Sequence, residues 1–196
     1  MSHLRLVGLV ALLAGCTEPP PERLDPSVVS DLTTERGDAE GLEASGGYRV
    51  LLEAVDCGCS DLETALQPLT MCGALFFAGL GQMPVEVDLD VVESDGRLVL
   101  SVFGHPNTKA VGPLNVAGDF EAGAVSRLTS FATSGSLVTR FDGDLSSTGE
   151  GAFEIEGTIE NRLLGQAELE GIANITQTEF DCRETVTFAG PRYIVR

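Results

Sequence analysis

Two histidines, five cysteines and thirty carboxylates are the raw material for chemistry in this 196-residue chain. His105 lies in Gly104-His105-Pro106-Asn107, a loop composition, and no Gly-x-Ser-x-Gly elbow supplies it with a nucleophile. A general base must sit within hydrogen-bond reach of its partner, so His105 reads as a solvated loop residue. Carboxylates recur as i, i+2 pairs, among them Asp88 with Asp90 and Glu154 with Glu156. Such neighbours share one face of a strand, and a close acid pair is what glycoside hydrolysis requires. Here the acidic residues alternate with apolar ones, which describes a solvated outer surface instead. The stretch "DGDLSSTGEGAFE" opens as a calcium loop would, with Asp142, Asp144 and Ser146 at positions 1, 3 and 5. Position 6 should be glycine and is Ser147; position 12 should be a bidentate Glu and is Phe153. No phosphate-cradling loop occurs. The expectation is a protein without catalytic residues, metal or cofactor.

The cysteines carry structure and address. Cys57-x-Cys59 lacks the two-to-four-residue spacing of a zinc site, and His105 is the only histidine after residue 47. Setting Cys16 aside, Cys57, Cys59, Cys72 and Cys182 form an even set, which in an exported chain implies two disulfides.

Export is written at the N-terminus. "MSHLRLVGLVALLAGC" gives a short positive start, an apolar run and small residues before Cys16, the layout of a signal peptide. The run is shorter than the roughly 20 residues that cross a bilayer as a helix. Leu13-Ala14-Gly15-Cys16 resembles the lipobox of bacterial lipoproteins, in which cleavage precedes the cysteine and the thiol and new amino group are acylated. The resemblance implies residues 1–15 as signal peptide, Cys16 as the lipidated first residue, and the membrane as a partner. Thr17 follows where Asp would retain the protein in the inner membrane, so in a Gram-negative cell the resemblance implies the outer membrane. Residues 17–47 hold eight acidic residues, two basic ones and four prolines. Such a stretch buries too little to offset its ordering entropy, so 16–47 is expected to be a disordered tether, reaching on the order of 30 Å. A short helix around Ser27 to Leu32 would have little to pack on.

Residues 48–196 are enough for one domain with its own core. They contain 22 acidic against 9 basic residues. That field excludes nucleic acid as a partner, which demands a basic stripe, and repels anionic lipid.

The elements that would position any site are strands. In "PVEVDLDVVESDGRLVLSVFG", Val85, Val87, Leu89 and Val91 fall on one face and Glu86, Asp88 and Asp90 on the other. Asp95-Gly96 is a two-residue hairpin signal that pairs Val91 with Leu100 and Leu89 with Val102. Further strands are expected at 48–55, 114–121, 124–132, 136–144, 152–160, 166–176 and 184–190. A capping box at Ser60-Asp61-Leu62-Glu63 starts a short helix after the first strand, stopped by Pro68. Leu75, Phe76, Phe77 and Leu80 then form an apolar plug or lid. Phe153, Ile155 and Ile159 share odd parity with Ala167, Leu169, Ala173 and Ile175, so an odd-numbered loop should join the 152–160 and 166–176 strands.

The fold class is mostly β: an antiparallel up-and-down barrel or a sandwich of about eight strands, with one short helix after the first. Closing a barrel sets the first strand beside the last and brings Cys57 and Cys59 near Cys182. Adjacent Cys57 and Cys59 would strain a bond between themselves. Cys57–Cys182 with Cys59–Cys72 is the preferred pairing, and the swapped one stays open. The ending "FDCRETVTFAGPR", a late cysteine, a strand and an arginine, resembles small lipocalin-like lipoproteins. It departs from them in lacking tryptophan and in its early helix. The resemblance implies a barrel. The functional expectation is a non-catalytic binding or structural module, with a carrier of a small apolar ligand as the alternative and an envelope hydrolase behind both.

Overall fold

The computed structural model describes residues 22–39, 43–60, 83–103, 109–129, 133–149, 151–170 and 175–195. Alternating apolar residues build β1 (Gly46–Ser60), β2 (Val85–Ser94), β3 (Arg97–Val102), β4 (Ala110–Pro113), β5 (Asp119–Thr129), β6 (Thr133–Gly149), β7 (Ala152–Glu170) and β8 (Ile175–Val195). Each pairs antiparallel with its neighbour in the chain, and β8 returns to β1, so the sheet closes into an eight-stranded barrel. Closure leaves no edge strand to template aggregation.

The β2–β3 hairpin has the register its faces demanded, with Leu89 opposite Val102 and Val91 opposite Leu100. Asp95 and Gly96 take φ of 53° and 72°, the left-handed pair of a two-residue type I′ turn. Other boundaries differ from the sequence reading. The expected strand at 114–121 is broken: β4 ends at Pro113, and Asn115 Oδ1 accepts from the backbone N–H groups of Ala117 and Asp119, each at 3.0 Å. An asparagine that satisfies its own turn outcompetes the ladder there. The 152–160 and 166–176 strands are also not separate. β7 runs unbroken through 161–165, because long partners on both sides keep its backbone groups paired. Phe153, Ile155, Ile159, Asn161 and Leu163 of β7 are buried inside the barrel as parity required, but no loop joins two strands there. The helix expected from Asp61 and the apolar stretch at 74–80 lie outside the described residues.

Inside, side chains fill the barrel in rows. Phe120, Gly143, Gly157, Phe188 and Leu52 stand in register across β5, β6, β7, β8 and β1. A Cβ at Gly143 would meet the Phe120 ring at 2.8 Å and one at Gly157 the Phe188 ring at 2.9 Å, so the glycines make room for the rings. Phe141 meets Phe188 edge to face, centroids 5.9 Å apart. Tyr48 is wholly buried beneath them. Its hydroxyl donates to Ala44 O at 2.6 Å, and burial pushes its pKa up to about 12.

The N-terminal segment corrects the tether expectation. From Glu22 onward the chain is packed against the barrel. Helix α1 (Pro26–Leu32) starts at Asp25, whose carboxylate accepts from Ser27 N at 2.8 Å and is held below its ordinary pKa by the Ser27 hydroxyl and backbone. Val29 and Leu32 are buried over Gly123 on the outside of β5, where no side chain stands in the way. Each such burial contributes about 1.5–3 kcal/mol. Ion pairs strap the same segment down: Arg23 reaches Asp142 and Glu160, and Glu22 bridges Arg162 and Arg183, 2.8 Å from each. Downstream, Gly37 N donates to Gly96 O and Ala39 N to Leu114 O, carrying the chain across that end of the barrel into β1. A few apolar residues, Leu24, Val29, Leu32 and Ala39, and a few charges sufficed, because the partners for both were already displayed on the barrel wall.

Candidate functional site: a polar row inside the barrel

One interior row is unlike the rest. Ala124 of β5 faces Thr139 of β6, Thr139 faces Asn161 of β7, Asn161 faces Glu184 of β8, and Glu184 faces Cys57 of β1. Directly opposed residues in such ladders hold their Cβ atoms about 5 Å apart, so neighbouring side chains in the row are within reach of one another. The rows on either side are apolar except for Ser126, which stands opposite Leu137. Ala122, Phe141, Ile159 and Val186 lie on one side, Leu137, Leu163 and Cys182 on the other, all buried in the same cluster. Parity explains the placement. Asn161 falls between Ile159 and Leu163, Glu184 between Cys182 and Val186, and Thr139 between Leu137 and Phe141, so each polar side chain is carried inward by its apolar neighbours.

Asn161 is 1% exposed, and among the described residues neither its Oδ1 nor its Nδ2 has a hydrogen-bond partner. A buried amide left unsatisfied costs about 1–3 kcal/mol. Glu184 is 2% exposed. Small residues adjoin Asn161 in this row: Thr139, then Ala124, then Ala110 beside it on β4, the last two contributing only methyl groups. At the β1–β8 seam a groove of about 310 Å³ is lined by residues 56–58 and by 181 and 183–185. It reaches two members of the row, Cys57 and Glu184, next to a register shift between Ala54 and Asp56.

The outer wall is different in kind. Arg162, bidentate to Asp181 at 2.9 and 2.7 Å, holds that carboxyl below its ordinary pKa. Asp119, Asp144 and Glu156 align across β5, β6 and β7. Desolvation first, then the charges of Asp119 and Glu156, raises the pKa of Asp144. No group of three metal-ligating side chains forms among the described residues.

The residues singled out from sequence scatter accordingly. Asp142 and Asp144 lie within β6 rather than in a calcium-type loop. Asp88 and Asp90 stand on the outer face of β2, and Glu154 and Glu156 on that of β7. Cys16, Cys72 and His105 lie outside the described residues. Cys182 is buried, and the register sets Cys59 across from it, with Cys57 across from Glu184. In the sequence Asn-Arg before Leu-Leu-Gly has the composition of a turn, which hides Asn161, and Glu184 is one carboxylate among the 22 of an acidic domain. No family model, curated protein or solved structure matches the chain.

Proposed function

We propose that this chain is a lipid-anchored protein of the bacterial cell envelope, on the outer membrane if the cell is Gram-negative, whose barrel is a non-catalytic binding module. The anchor reading rests on Leu13-Ala14-Gly15-Cys16, with Cys16 acylated. The binding reading rests on one observation: an amide enclosed in the barrel with no partner among the described residues for either of its polar atoms. A purely structural barrel gains nothing from such a residue, whereas leucine there would continue the neighbouring rows. Among binding modules the carrier of a small apolar ligand is favoured, since apolar rows flank the polar one. An eight-stranded barrel is wide enough for packed side chains or for one small ligand.

Two further features belong to this reading. The disulfides are Cys59–Cys182 and Cys57–Cys72, supported by the β1–β8 register; neither Cys57 nor Cys182 is without a partner. The packed segment begins at Glu22, six residues after Cys16, so even a fully extended chain between the two spans at most on the order of 20 Å. The barrel therefore hangs close to its membrane, by the wall that carries α1.

Mass spectrometry of the protein purified from its source tests the proposal. Denatured, it should begin at Cys16 with the added mass of acyl chains; sprayed intact, it should keep a further small-molecule mass. An unmodified Cys16 would overturn the anchor. An acylated chain that retains nothing would leave a structural module.

A further inference from the structure

We infer that the interior row reads the head group of its ligand, and that this head is an uncharged primary amide on an apolar chain. The inference rests on the carrier reading above and deepens it.

A carboxamide presents a donor and an acceptor side by side in one plane. A primary amide satisfies both at once: its C=O accepts from Asn161 Nδ2 while the N–H on the same side donates to Asn161 Oδ1. A carboxylate would satisfy Nδ2 alone and set Oδ1 against like charge. An ammonium would satisfy Oδ1 alone. An alcohol could engage only one of the two well at a time.

The surroundings point the same way. No cation stands in the row of Ala124, Thr139, Asn161, Glu184 and Cys57, so a ligand carboxylate would be buried among apolar rows without compensation. The second N–H of a primary amide has carboxyl and hydroxyl oxygens to reach, on Glu184 to one side and Thr139 to the other. The side chains beyond Thr139 in the row are small, the methyl groups of Ala124 and Ala110, and Leu137 and Leu163 bound it with apolar surface suited to a hydrocarbon chain.

Isothermal calorimetry on the full chain with octanamide, octylamine and octanoate, all below their aggregation concentrations, tests this. Octanamide should bind at least ten-fold tighter than octanoate and measurably tighter than octylamine. Asn161→Leu should fold and lose that ten-fold preference, since leucine matches the neighbouring rows while offering no hydrogen bond. Should Asn161→Leu fail to fold, Asn161→Asp keeps the size and replaces the donor with a carboxylate, and the order of octanamide and octylamine should invert. Equal binding of the three compounds, tighter octanoate, or an unchanged preference in the variants would overturn the inference. Displacement of N-phenylnaphthylamine, an apolar fluorophore, separates the two levels. If it binds while octanamide shows no preference, the head-group assignment falls and the carrier stands; if nothing binds, both fall.

Discussion

Replacing Gly96 by alanine should cost far more than replacing Gly151, although both glycines are left-handed, with φ of 72° and 79°. A side chain in that region costs about 1–2 kcal/mol through its Cβ alone. At Gly151 nothing lies within 4 Å of an added Cβ, so that cost stands by itself. At Gly96 the Cβ would fall 2.9 Å from the carbonyl carbon of Gly37 and closer still to its oxygen. The obstacle is backbone and cannot rotate away. It is also tied in place, because Gly96 O accepts from Gly37 N at 2.8 Å and from Leu114 N at 3.0 Å. Overpacking of this kind adds about 1–3 kcal/mol. With about 2–4 °C of melting temperature per kcal/mol for a domain of this size, Gly96→Ala should fall by about 10 °C and Gly151→Ala by about 4 °C. Differential scanning calorimetry of the two variants decides it. Equal shifts would show that the N-terminal segment does not rest on this turn, and with it the packing described for residues 37–39 would fail.

Asp144→Asn should raise the melting temperature at pH 7, because the fold raises the pKa of Asp144 and so disfavours its ionised form. The stability tied to the protonated form is present below the unfolded value of about 3.9 and lost as pH rises through the folded one, so the gain should vanish at pH 3.5. A gain equal at both pH values would contradict this. Val29→Asp should free the strap without unfolding the barrel: trypsin should then cut at Arg23 and Arg36 while circular dichroism keeps its strand signal, and unchanged resistance would refute the docking of α1. Non-reducing peptide mapping should find Cys59 linked to Cys182, a closure worth on the order of 4 kcal/mol in the chain-entropy model for a loop of over 100 residues. A Cys57–Cys59 link would sink it.

The barrel was legible because alternation and turn chemistry agree along most of the chain. Asp95-Gly96 and its flanking valines and leucines fixed one hairpin to the residue, since any slip would turn every apolar side chain outward. Strand ends were less legible where Asn and Gly occur. Asn115 ends a strand and Asn161 does not, and the difference lies in whether long partners run alongside, which is a tertiary fact. The docking of residues 22–39 was hidden for a related reason. Val29 and Leu32 are too few to form a core, and their partner, the bare surface over Gly123, belongs to a strand nearly a hundred residues later. The polar row did leave a trace. Thr139, Asn161 and Glu184 each stand between two apolar residues of the same parity, on consecutive strands. Only the register shows that the three exceptions fall on one line.

The account turns on whether Asn161 meets a ligand inside the barrel, and its side-chain amide can be watched directly. The chain has four asparagines, so protein labelled with 15N-asparagine gives a sparse spectrum, in which Asn161→Leu identifies the Asn161 pair by its absence. On titration with octanamide the Asn161 Nδ2 protons should shift downfield and become slow to exchange with solvent, while the amides of Asn107, Asn115 and Asn174 stay where they are. An Asn161 signal unmoved at saturating octanamide would contradict the account.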